Sequence, residues 1–157
     1  MEETNLYQTP SADVSNAPAL SERLYSPGQM VFAAFFGSPV AGFLLLAANF
    51  RELGQQKFRR YALLAGVVSN VALLLMAITL PDDVPILFTN VFVPIVYSFG
   101  ALRIARHTQG AAFRAHLDAG GGKYSHWRVL LLSITVLFLY ALVAIAVVFL
   151  LPESFWL

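Results

Sequence analysis

Cysteine is absent from the chain. That excludes disulfides, thiolate catalysis and Cys-ligated zinc or iron–sulfur centres, and it leaves the redox compartment unspecified. Charge is scarce too: Asp, Glu, Lys and Arg make up 12% of the residues, against roughly 25% in a soluble domain. The scarcity is uneven, because the deep parts of four long segments carry no Asp, Glu, Lys, Arg or His at all. Buried ionisable groups are the usual mark of proton relays, ion coupling and voltage sensing. Their absence argues against a proton-coupled transporter working as a monomer. It leaves open a neutral-solute or lipid pathway, or a pore built by oligomerisation. An early basic patch followed by an apolar core is also lacking. The first residues are acidic (Glu2, Glu3, Asp13, Glu22), with Arg23 arriving late, unlike a signal peptide. With Pro10, Pro18 and Pro27 among Ser, Asn and Ala, residues 1–28 read as a mobile acidic tail.

What is present is apolar: 58% of the 157 residues, gathered into runs at about 30–50, 61–80, 84–105 and 129–151. Each reaches the ~20 residues that a helix needs to cross ~30 Å of hydrocarbon. Lipid leaves no partner for free backbone groups, and the runs are too long and uniform for barrel strands. The expected fold is therefore an all-α integral membrane protein whose domain, 29–157, holds four transmembrane helices. The loop after the third run suggests one short cytoplasmic amphipathic helix in addition. Phe113 and Leu117 share a face within 109–119, and Gly120-Gly121-Gly122 would end it.

Loop charge orients the chain. Arg51, Lys57, Arg59 and Arg60 against Glu52 give the first loop +3; Arg103, Arg106, Arg114, Lys123 and Arg128 against Asp118 give the third +4. The other side carries the acidic tail, Asp82, Asp83 and Glu153. Basic short loops stay cytoplasmic, which predicts both termini outside. Tyr61 and Trp127 fall at span ends as interfacial anchors, and Trp156 is suited to the same role on the outer side. The short turn from Pro81 to Pro85 predicts that the second and third helices are antiparallel neighbours.

The first run breaks at Gly37-Ser38-Pro39, with small residues at Ala34, Ser38 and Gly42. Such spacing lets backbones approach closely, and Pro39 forfeits a helical hydrogen bond. Ordinary packing with a kink is the simplest reading. Two others are a broken helix lining a site and a re-entrant segment, which would change the number of crossings. The third run is interrupted at Pro85 and Pro94, near Asn90 and Tyr97, and the second carries Gly66 and Asn70. An amide facing lipid is costly, so Asn70 is expected to face another helix, as interhelical glue or as a ligand contact. Helix packing or a pathway is thus assigned to Ala34, Gly37, Ser38, Pro39, Gly42, Gly66, Asn70, Asn90 and Pro94.

Arg51, Lys57, Arg59, Arg60, Arg103, Arg106 and Arg128 form a cytoplasmic basic collar that anionic headgroups would favour. Most simply it is the topology signal itself. His107, His116 and His126 match no zinc spacing. Gly120–Ser125 lacks the GxxxxGK[ST] spacing of a phosphate loop. Neither a catalytic residue, nor a metal, nor a cofactor is predicted. Without a soluble basic domain or stacking platforms, nucleic acid is not an expected partner. Membrane lipids are, together with further copies of the chain or a larger membrane complex.

Tyr25-Ser26-Pro27, Gly37-Ser38-Pro39-Val40-Ala41-Gly42, Asn49-Phe50-Arg51-Glu52-Leu53-Gly54 and Lys123-Tyr124-Ser125-His126-Trp127-Arg128 resemble an uncharacterised family of small bacterial four-helix inner-membrane proteins. The resemblance covers most of residues 25–150. In that pattern a glycine pair precedes the proline, and an asparagine stands at the histidine; Ser38 and His126 depart from it. It implies a bacterial inner-membrane location and brings no known activity. The leading functional expectation is a structural or accessory membrane protein. A small oligomeric transport or permeation module is the alternative, and a membrane enzyme the third.

Overall fold

The computed structural model describes residues 23–81, 83–85 and 87–150. The tail up to residue 22, Asp82, and residues 151–157 with Glu153 and Trp156 lie outside the described residues. Residues 23–28, at the end of the expected tail, belong to the fold. Arg23–Leu24 (β1) pairs in parallel with Gly122–Lys123 (β2). Ser26 then starts α1, Pro27–Glu52, through a capping box: its hydroxyl accepts from the Gln29 N–H while the Gln29 side chain accepts from the Ser26 N–H. Pro27, just inside the helix, lacks only an N–H that would have had no helical partner.

Helix α1 is not straight. A straight helix of its 26 residues would hold its ends about 39 Å apart. Instead Asn49, near its end, binds the backbone of Tyr25, just before its start: the Tyr25 N–H donates to Asn49 Oδ1 at 2.8 Å and Asn49 Nδ2 donates to the Tyr25 carbonyl at 2.7 Å. The reversal is at Ser38, with φ 79° and ψ 164°. Pro39 disfavours helical backbone in the residue before it and opens the second arm, where its missing N–H costs nothing. The arms, 27–37 and 39–52, then lie antiparallel with small residues between them. A Cβ at Gly42 would sit 2.9 Å from the Ala34 Cβ and 3.0 Å from the Met30 carbonyl oxygen. The expected kink is thus a hairpin, and Ala34 and Gly42 pack arm against arm.

The hairpin is the centre of the molecule. Helices α2 (Gln56–Thr79), α3 (Val93–Asp118) and α4 (His126–Leu150) each pack on α1 and hardly on one another. In its most apolar stretch α1 is 61% buried, against 11%, 11% and 6% for the other three helical segments. The second and third helices, expected as neighbours, are therefore separated by a wedge. Gly66 lets α2 close on the second arm, where a Cβ would lie 3.1 Å from the Phe43 Cβ. Among the described residues, four helices are long and apolar enough to cross a membrane, which makes this a membrane-associated helical protein. Length and apolarity alone, however, do not distinguish a span from a folded-back α1.

The short amphipathic helix expected at 109–119 does not exist as a separate element. Helix α3 runs on without a break to Asp118. Gly110 is the one weak helix former at the join, and a lone glycine costs only about 1 kcal/mol. The glycine run does stop the helix, but that helix is α3. Gly120 takes φ 85°, its N–H bonds the Leu117 carbonyl, and the Gly121 N–H bonds that of His116, the Schellman arrangement. At its other end α3 follows a π-helical turn, Phe88–Phe92. Pro94 has no N–H to donate to the Asn90 carbonyl, and the ladder there widens to the Val93-to-Phe88 bond.

Candidate functional site

The two ends of the bundle differ chemically. At the end carrying the basic loops, three amides no more than 2% exposed, Gln29, Asn49 and Gln109, tie four segments together. Beyond its bonds to Tyr25, Asn49 Nδ2 donates to Gln109 Oε1 at 3.0 Å. Gln109 Nε2 donates to the Leu46 carbonyl at 2.9 Å, and Gln29 Nε2 to the Tyr124 carbonyl at 2.7 Å. The Tyr25 and Tyr124 rings stack at 4.3 Å, and the Arg128 guanidinium lies 4.6 Å from the Tyr124 ring centre. Burial pushes the Tyr25 phenol above its usual range, against the pull of Arg128. Each amide of this latch both donates and accepts within the protein, and the latch closes the open end of the hairpin. Its chemistry is structural.

The remaining collar residues do not converge on a pocket. Arg51 pairs with Glu52 at 2.7 Å, Arg59 bonds Gln56, and Lys57 sits 6.0 Å from the Tyr61 ring centre. Arg60, Arg103 and Arg106 are exposed. His116 Nε2 lies 3.1 Å from the Gly122 carbonyl oxygen, His107 and His126 are exposed, and no group of His, Asp and Glu able to hold a metal occurs among the described residues.

At the opposite depth the hairpin tip is polar and unsatisfied. Ser38 is 8% exposed, and its Oγ has no hydrogen-bond partner. Its φ and ψ fall in a region that essentially only glycine occupies, a strain of roughly 1–3 kcal/mol. Gly37 beside it touches α4 so closely that a Cβ would come 2.7 Å from the Ser133 Cα. Ser133, fully buried, returns its hydroxyl to the Val129 carbonyl at 2.8 Å. The tip therefore cannot retreat toward α4.

Two cavities meet at the tip. The larger, about 330 Å³, has Ser38 and Phe36 from the hairpin, Asn90, Pro94 and Tyr97 from the third helical segment, and Tyr140 from α4 in its wall. It reaches Leu80 and Thr89, so it opens toward the end away from the latch. The smaller, about 230 Å³, is bordered by Ser38, Asn70 and Tyr140. The Asn70 Oδ1 is buried and unpartnered as well. Among the described residues, no Asp, Glu, Lys, Arg or His lines either space.

Of the residues singled out in the sequence, Ser38, Asn70, Asn90 and Pro94 border these cavities, while Ala34, Gly37, Pro39, Gly42 and Gly66 make the tip and its close packing. Gln29, Asn49, Gln109, Ser133 and Tyr140 were not singled out as site residues. Asn49 opened one of the quoted motifs and Gln29 followed another by two residues, a usable signal; Gln109, between a threonine and a glycine, carried none. No protein-family model, curated protein or solved structure matches the chain. Its class therefore rests on the fold alone: a small all-helical protein with four long apolar helices around a polar hairpin tip.

Proposed function

We propose that the chain is a bacterial inner-membrane protein in which α2, α3 and α4 cross the bilayer and α1 enters and leaves by the same face. Each arm of α1 spans about 16–21 Å at 1.5 Å per residue, half a bilayer rather than a whole one. Non-helical backbone at that depth is tolerated where protein or a cavity surrounds it, and Ser38 meets that condition. The β1–β2 pairing supports putting residue 23 on the face of the basic loops. That face is cytoplasmic by the charge rule, which puts residue 23 inside and the end of α4 outside.

In this reading the protein is a small-solute binding and permeation module, held with its cavity open to the outside. The observation that carries it is the strained, buried and unpartnered Ser38 hydroxyl at the floor of that cavity. Backbone strain of this kind clusters at ligand clamps and active sites, and an orphaned buried hydroxyl is where a ligand's hydrogen bond adds most. The test is solute exchange by proteoliposomes of the purified chain across a broad panel. Flux above protein-free vesicles that falls in Ser38→Ala supports the module; flux indistinguishable from empty vesicles for every solute removes it.

An accessory role is favoured by one different observation. Helices α2, α3 and α4 hardly touch each other, which leaves the sides of the bundle free for other helices. Co-extraction with another membrane protein at fixed stoichiometry, without solute flux, is the outcome that reading expects.

A further inference from the structure

From the chemistry around the hairpin tip we infer that the site takes a small uncharged solute carrying hydroxyl or amide groups, a polyol or urea-like molecule, and not an ion. The inference rests on the permeation reading above and names its substrate class.

The side chains bordering the two cavities offer Ser38 and two phenols, Tyr97 and Tyr140, with two carboxamides, Asn70 and Asn90. Every one of these is neutral, and every one both donates and accepts hydrogen bonds. That set matches a solute whose own groups do both. An ion taken to this depth would have to be compensated by opposite charge or by a directed dipole. Among the described residues, opposite charge is missing from both linings. The backbone dipoles do not replace it, because of how the hairpin is built. The first arm ends at the tip with its carbonyls, and the second begins there with its N–H groups. The partial negative charge of one helix end and the partial positive charge of the other meet within a residue or two and offset each other. A single half-helix pointing at the cavity would favour one sign of ion. Two antiparallel half-helices favour neither.

Shape points the same way. About 330 Å³ is far above the roughly 10–15 Å³ that one water requires, so a solute of several heavy atoms fits. The walls between the polar groups are apolar, aliphatic at Leu73, Met76 and Leu137 and aromatic at Phe35 and Phe36. They suit the C–H faces of a polyol better than a hydrated ion. Ser38, which with Tyr140 borders both spaces, is 8% exposed, has no partner for its hydroxyl, and occupies a backbone conformation in which glycine would be unstrained. A hydroxyl kept at such a position is best explained by the bond it offers to a ligand.

The full chain in liposomes decides this, with glycerol, erythritol and urea exchange followed by light scattering and K⁺, Cl⁻ and phosphate flux followed in parallel. The expected result is neutral-solute exchange well above empty vesicles, with ion flux equal to theirs. Ser38→Ala and Ser38→Gly should each lower the neutral flux about tenfold, the equivalent of one hydrogen bond. Ser38→Gly relieves the backbone, so loss of flux in that variant cannot be put down to unfolding. Ser38-dependent ion flux would overturn the substrate class and leave the permeation reading standing. Neutral flux indifferent to both Ser38 variants would overturn the site. No flux of either kind would overturn the permeation reading, and this inference with it.

Discussion

Ser38 and Asn49 do opposite things with a polar side chain. Asn49 is buried and fully engaged, returning two hydrogen bonds to the Tyr25 backbone and one to Gln109. Removing it leaves a buried N–H, a carbonyl and an amide unpaired. Asn49→Ala should therefore cost roughly 2–3 kcal/mol, read as a lowered midpoint of thermal unfolding in detergent; an unchanged midpoint would contradict the latch. Ser38 is buried and unengaged, in a backbone conformation that strains any side chain. Ser38→Gly should raise stability by about 1 kcal/mol, relief of strain exceeding glycine's entropic cost. A less stable glycine variant would mean that the serine is held by something other than its ligand. The Tyr25 phenol, pushed up mainly by burial, should stabilise the fold in full below the ordinary tyrosine value of about 10. That contribution is lost only as pH rises through the raised value. Thermal stability of wild type and Tyr25→Phe should then diverge above pH 10, not between pH 6 and 9.

At the scale of elements, small residues decide which helices meet. Gly42 faces Ala34 across the hairpin, Gly66 faces Phe43 between α2 and the second arm, and Gly37 faces the Ser133 backbone. Without a hydrophobic drive between helices in lipid, such close approaches supply much of the association. Gly42→Leu should force the arms apart. The measurement is the midpoint of thermal unfolding in detergent, which Gly42→Leu should lower clearly, because a side chain there meets Ala34 and the Met30 carbonyl. An unchanged midpoint would contradict the packing. Much of this level was legible in sequence. The four apolar runs became four long helices, and the residues that drew notice within them lie at a reversal (Ser38), at close approaches (Gly42, Gly66) and at a π-helical turn before Pro94. The sharp reversal was not. Twenty apolar residues can cross a membrane once or enter it halfway twice, and the decisive partner of Asn49 lies 24 residues earlier in the chain, beyond any local pattern. The helix expected at 109–119 failed for a complementary reason. Its apolar face was real, but nothing before it was strong enough to stop α3.

For the whole molecule, the account replaces four parallel walls by three walls and a plug. The hairpin fills the centre, the latch ties its open end to β2 and α3, and its tip forms the floor of a cavity facing the other way. The external N-terminus expected from the sequence followed from cytoplasmic basic loops and four crossings; with α1 proposed to return to the face it entered, the same charge rule puts residue 23 on the cytoplasmic side. The central claim is that α1 returns to the face it entered, and it predicts the sidedness of residue 23. Because the chain has no cysteine, single substitutions Arg23→Cys, Lys57→Cys and Asp83→Cys can be labelled with an impermeant maleimide in right-side-out and inverted vesicles. The account predicts that positions 23 and 57 react from the same, cytoplasmic face and position 83 from the opposite one. Labelling of position 23 from the face that labels position 83 would mean that α1 crosses the bilayer, and would contradict the account at its base.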